Sequence, residues 1–145
     1  MPKSSAFAHA YLRLIFNNVG IPNIGDATGL RGSVVAGSLW VALHTSDPGI
    51  GGSQETFEAE YTGYARKQML RGSAFVVTDN VVSPAAHIDF PQCTAAPGDP
   101  LTHWSVGTYQ TGAGYVLYTG EISPSILVSV NTIPRLENIS TITEL

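Results

Sequence analysis

Along the chain, apolar residues first recur at spacings of three and four. Phe7, Ala8, Tyr11, Leu12, Leu14 and Ile15 fall on one face of a helix. Ser4 or Ser5 can cap its start, since a serine oxygen accepts from the free amides of a first turn, and Asn17-Asn18-Val19-Gly20 supplies a stop. No other helix is predicted. Residues 21–37, with Pro22, Gly25, Gly29 and Gly32, read as a loop and a long surface arm. The period then changes to that of a strand. Leu39, Val41 and Leu43 take one side of an extended segment and Trp40, Ala42 and His44 the other, and both sides are largely apolar, as a strand between two layers requires. Asp47-Pro48-Gly49 stops it: Asp can accept from the backbone two residues on, Pro presets φ, and Gly tolerates φ > 0.

Beyond Gly49, the stretch Gly51-Gly52-Ser53-Gln54-Glu55 is too glycine-rich and polar to pack a core and reads as an exposed excursion. Tyr64 to Leu70 alternates as a half-buried strand. Ala74 to Thr78 and Val81 to Ser83, joined by Asp79-Asn80, predict a hairpin with a two-residue turn. Further strands are expected at 87–90, 102–109, 115–122, 125–130 and 138–143, with turns at Pro97-Gly98-Asp99-Pro100, Gly112-Ala113-Gly114 and Ser123-Pro124. About eight short strands spaced near ten residues point to a mainly β fold, a single-domain β-sandwich of jelly-roll or Greek-key type with one N-terminal helix and long loops, a closed barrel being the alternative. Residues 1–37 would form the helix and extended arm, and 38–145 the sandwich. No repeat and no heptad run is present, so no coiled-coil shaft is encoded.

At 145 residues the chain suits one core. Only 12% of its residues are charged, about half the ordinary share. Either other subunits cover part of the surface, or long neutral loops rich in Ser, Thr and Gly dilute the charge. A net charge of −4 with scattered cations argues against a nucleic-acid partner. Lys3 and Arg13 interrupt the apolar positions of residues 1–20, which do not read as a signal peptide, and no stretch approaches a membrane span. The single cysteine, Cys93, excludes a disulfide framework and reads as a small buried apolar residue.

Candidate chemistry is sparse. His87-Ile88-Asp89 puts an imidazole and a carboxylate on one strand face, which could begin a metal site with His44 or His103, but such spacing is common by chance, and no metal or cofactor is expected. Glu55, Glu58 and Glu60 could supply a carboxylate pair for glycoside hydrolysis, yet in a glycine-rich polar loop they read as solvated acids. There is no nucleophile elbow and no phosphate-binding loop, so no enzymatic activity is expected. The sequon at Asn138-Ile139-Ser140 reads as incidental. Trp104, Tyr109, Tyr115 and Tyr118 lie in apolar strand patterns and read as core rather than as a sugar platform. Arg66, following Gly63-Tyr64-Ala65, is the candidate structural clamp, its guanidinium suited to a loop carboxylate or carbonyl.

Leu43-His44-Thr45-Ser46-Asp47-Pro48-Gly49 together with Tyr61-Thr62-Gly63-Tyr64-Ala65-Arg66 resembles a group of small structural proteins of tailed bacteriophages, in which a strand ending in Leu-His-Thr-x-Asp-Pro-Gly precedes Tyr-x-Gly-Tyr-Ala-Arg. Ile24-Gly25-Asp26-Ala27, Phe90-Pro91-Gln92-Cys93-Thr94 and Gly112-Ala113-Gly114 look like further landmarks of that group. The resemblance implies a virion structural protein. The preferred expectation is a capsid cement or decoration protein that stabilises a shell of major capsid protein, acting as a homo-oligomer, dimer or trimer, and made in the bacterial host cytoplasm. A tail-fibre or baseplate component, with glycan binding for host attachment, is the alternative. The contact surface is expected on the helix and on loops 21–37 and 46–62, with Phe7, Tyr11, Arg31, Asp47, Ile50, Gln54, Phe57 and Tyr61 as interface candidates.

Overall fold

The computed structural model describes residues 2–145 as a mainly β chain with one helix and several antiparallel strand pairs. Its residues group into two compact units. One holds the chain up to Ser38, Met69–His87 and Glu137–Leu145; the other holds Leu39–Gln68 and Ile88–Leu136. The helix and the segment after it thus share a unit with two later stretches of the chain.

In the first unit, α1 (Ser5–Asn17) starts at Ser4, whose hydroxyl accepts from the Phe7 amide at 3.2 Å, and ends at Asn18 in the left-handed region. Ala8, Leu12 and Phe16, spaced by four, are its buried stripe. That stripe packs on the hairpin of β3 (Phe75–Thr78) and β4 (Val81–Pro84). Phe16 meets Phe75 edge to face, with centroids 4.8 Å apart. Burying Leu12 and Phe16 stabilises this unit by about 2–3 kcal/mol each. Asp79, at φ 52, turns the hairpin where Asp79-Asn80 was expected to. β9 (Ile142–Thr143) extends this sheet beside β4.

Residues 21–37 fold back instead of reaching out. Ile21 and Leu30 exchange both backbone hydrogen bonds, and the Asn18 amide group bonds Ser33 through its nitrogen and its oxygen. Arg71 then gathers the ends: it donates to the carbonyls of Leu14 and Ile15 at 2.6 and 2.7 Å, to Ser33 Oγ at 3.0 Å and to Ala36 O at 3.1 Å. The last-turn carbonyls of α1 have no partner within the helix, and the guanidinium fork supplies one.

The principal sheet has the strand order β2-β1-β6-β7, formed by β1 (Ser38–His44), β2 (Lys67–Leu70), β6 (Leu101–Gly107) and β7 (Val116–Ile126). Val41, Ala42, Leu43 and His44 are fully buried, in line with the two-sided apolar pattern. They stand opposite Val106, Ser105, Trp104 and His103. Residues 115–122 and 125–130 were expected as two strands; Val116–Ile126 forms the single strand β7, and residues 127–130 lie outside any strand. Ile122 to Ser125 stand opposite Thr102 alone, so Ser123-Pro124 occupies a bulge on the sheet edge, where a proline costs no ladder bond. A small second ladder joins β5 (Ile88–Asp89) to β8 (Arg135–Leu136).

Candidate functional site

The densest polar constellation lies in the second unit, where the segment 53–66 meets the turn 109–114. Arg66 is at its centre. Its Nε and Nη2 donate to the two oxygens of Glu58 at 2.7 and 2.8 Å, while Nη1 and Nη2 also donate to the carbonyls of Tyr109 and Gly112 at 2.9 and 2.7 Å. A planar guanidinium suits this set because its donors diverge in fixed directions. Burial disfavours its charge, but the hydrogen bonds and negative charge of Glu58 outweigh that and raise its pKa.

Tyr64 completes the node. Its phenol donates to Glu58 Oε1 at 2.8 Å and accepts from the Leu43 amide of β1 at 3.1 Å. Burial first, and then the adjacent Glu58 charge, push its pKa well up, so the phenol stays protonated. The same Leu43 accepts from the Ala59 amide. Tyr61 stacks edge-on with Tyr64 and donates to Pro91 O at 2.6 Å; burial and then Cys93 raise its pKa to about 12. Gly63, at φ 101, is required between them. A Cβ there would stand 2.5 Å from Gln92 O.

Gln54 and His44 are internal ties as well. Gln54 accepts from the Tyr109 amide at 2.9 Å and donates to Tyr109 O at 3.2 Å. Gly107 and Gly114 leave room for it, since a Cβ on either would collide with its amide. His44 Nδ1 faces Thr56 O at 2.8 Å, so that nitrogen carries the proton, and Nε2 accepts from Ser105 Oγ at 2.8 Å. Burial is the main reason its pKa falls below the usual 6.5.

Above the node opens a cleft of about 310 Å³, lined by Glu55, Glu58, Tyr64, Arg66 and Thr111 among others. Glu58 was expected as a solvated acid. It is instead half-buried with both oxygens bonded, whereas Glu55 and Glu60 are exposed.

The interface candidates divide. Gln54 and Tyr61 are buried within their unit, because each satisfies a distant backbone group there, and they present no surface to a partner. Phe7, Arg31, Asp47, Ile50 and Phe57 are exposed and Tyr11 half-buried. Asp47 accepts from the Gly49 amide at 2.9 Å, which makes the expected turn. Of the aromatic residues read as core, Trp104 is buried, but Tyr109 and Tyr115 face solvent because they lie in the turn between β6 and β7. His87 pairs with Glu137 at 2.9 Å, and Asp89 with Arg135 at 2.6 Å. Among the described residues no three His, Cys, Asp or Glu side chains converge. Nor is any helix among them long and apolar enough to cross a membrane.

Arg71 and Gln54 are the structural residues that pattern reading missed or misplaced. Arg71 follows an exposed strand end with no motif around it, and nothing local signals its bonds to residues 14–36.

The fold is β-rich, its most elaborate polar site is a set of internal ties, and a family match makes the protein a bacteriophage structural protein. The family described as Podophage GP4 fiber I protein gp80 matches residues 28–142, and the chain belongs to that family. The match takes in the whole second unit and ends within β9. No curated protein matches the chain.

Proposed function

We propose that the protein is a structural component of the phage fibre apparatus, acting through contacts with other virion subunits and not through catalysis. The observation that carries this reading is the family match over residues 28–142, which covers the clamp, the cleft and most of the loops. The geometry supports it. Glu58 is bonded to Arg66 and Tyr64, and both nitrogens of His44 are engaged, so neither is free to act as an acid or base. The joining of Tyr64 to Leu43 supports the Leu-His-Thr-x-Asp-Pro-Gly and Tyr-x-Gly-Tyr-Ala-Arg type, since the two motifs meet through that bond. The crossover that sets β6 beside β1 supports a jelly-roll or Greek-key sandwich.

A head-decoration role is the second reading, with loops 21–37 and 46–62 lying over the major capsid protein. The exposure of Val34, Val35 and Ile50 on those loops favours it, as apolar side chains with nothing over them. A glycan-binding fibre module draws on the exposed Tyr109 and Tyr115.

Immunogold labelling of purified virions against this chain tests the assignment. Label confined to fibres or the tail supports the fibre reading, and label spread over the head transfers it to decoration. Absence of the chain from purified virions overturns both. A glycan array with the purified protein tests the third reading.

A further inference from the structure

We propose that the cleft over the Arg66 node receives Arg31 from a second copy of this chain, so that the loop 30–35 of one copy docks against the segment 53–66 of the next. The inference rests on the reading of the protein as a repeated virion component.

The cleft selects a cation. Its charged lining is Glu55, Glu58 and Arg66, a net charge of −1, and Glu58 is already shared with Arg66. Among the described residues the Glu55 carboxylate holds no hydrogen bond or ion pair, and it is exposed at the cleft. Thr111 and Gln110 add side-chain oxygens that can accept from a donor. The aromatic residue in the lining is Tyr64, and its phenol is committed to Glu58 and Leu43, so the cleft lacks the open aromatic face on which a sugar ring stacks. A guanidinium meets these groups best, with its fork on Glu55 and its remaining donors toward Thr111 and Gln110.

The chain carries a matching group. Arg31 is exposed, and among the described residues no hydrogen bond or ion pair holds its guanidinium. It is flanked by Leu30, Val34 and Val35, all exposed, with Val34 wholly so. An exposed ion pair alone adds little affinity. A cation followed by two uncovered valines supplies both parts of a contact, since burial of the valines drives association and the charge pair fixes its register. The contact pairs two different segments of the chain, so it is exchanged twice in a two-fold dimer or repeated head to tail in a ring or a row of copies.

Sedimentation velocity of the purified protein over a range of concentrations, with Arg31→Glu, Glu55→Lys and the double variant, tests the contact. The wild type should self-associate, and less so as salt rises. Each single variant should weaken association about tenfold or more, and the double variant should restore it by exchanging the charges. Thermal melts show whether the fold is intact: Arg31→Glu should match wild type, and Glu55→Lys should stay folded with at most a small fall in Tm, because the Glu55 charge lies near Arg66. A wild type that stays monomeric at all concentrations overturns the proposal, as do single variants that associate normally or a double variant that does not recover. A monomeric wild type whose Glu55→Lys form is lost from virions assigns the cleft to a different subunit, which also overturns it. None of these results removes the wild-type chain from the virion, so the contact and the structural role fail separately.

Discussion

Arg66 holds Glu58 by two parallel hydrogen bonds, Nε to Oε1 and Nη2 to Oε2, while the rest of its fork holds the turn 109–112 by two carbonyls. One side chain thereby fixes both walls of the cleft. Arg66→Ala would leave Glu58 with only the Tyr64 phenol, the Tyr109 carbonyl with only Gln54, and the Gly112 carbonyl without the guanidinium donor. Breaking a mostly buried pair costs about 3 kcal/mol, equivalent to a fall in Tm on the order of 10 °C for a chain of this size. Differential scanning calorimetry should show that drop. Arg66→Lys should recover only part of it, because an ammonium cannot span Glu58 and the turn together. A melting point unchanged in Arg66→Ala, with incorporation into virions lost, would move the residue's role to an interface.

Gln54 ties its loop to the same turn through the amide and carbonyl of Tyr109. Gln54→Ala strands a backbone donor and opens a space facing Gly107 and Gly114. The expected loss is about 1–3 kcal/mol, since an unmade buried hydrogen bond costs the full desolvation of the group. Urea denaturation followed by tryptophan fluorescence measures it. A stability equal to wild type would contradict the internal role assigned to this side chain.

His44 makes stability depend on pH. Its folded-state pKa is lowered by burial, with Glu58 drawing it up and Arg66 and His103 pressing it down. The unfolded chain therefore binds more protons than the folded chain in mildly acidic solution. The contribution of the neutral imidazole is complete above 6.5 and is lost as pH falls from there toward the folded-state pKa, by up to about 1.4 kcal/mol per pH unit. His44→Gln should flatten the dependence between pH 7.5 and 5, measured by denaturant titration at each pH. Equal slopes for the two proteins would contradict a neutral, buried His44.

Much of the local structure was legible because it rests on neighbours in sequence. Ser4 caps a turn by accepting from the Phe7 amide three residues away, Asp47 binds the Gly49 amide, and Asp79-Asn80 turns its own hairpin. The strand Ser38–His44 announced its burial through apolar residues on both sides. What could not be read depends on partners far along the chain. Gln54 sits among glycines and polar residues that resemble a solvated loop, yet the groups that bury it lie 55 residues on. Glu58 looked equally solvated until Arg66 and Tyr64 met it across a turn. Ser123-Pro124 reads locally as a turn, and only the pairing of β7 with β6 makes it a bulge.

Arg71 yields the last expectation, in the first unit. It joins Leu14 and Ile15 at the end of α1 to Ser33 and Ala36, so it closes the loop that leaves the helix. Burial lowers its pKa, but an arginine stays charged at any working pH, and four oxygen acceptors offset the desolvation. Arg71→Ala removes all four bonds at once. The Ile21 and Leu30 pair and the Asn18 amide still hold the base of the loop, so local opening, not loss of the fold, is the expected effect. Hydrogen exchange should become faster, by about tenfold or more, at residues 31–37 and at the last turn of α1, while the hairpin β3–β4 keeps its protection. If segment 31–37 stayed as protected as in wild type, Arg71 would not be the tie that holds it.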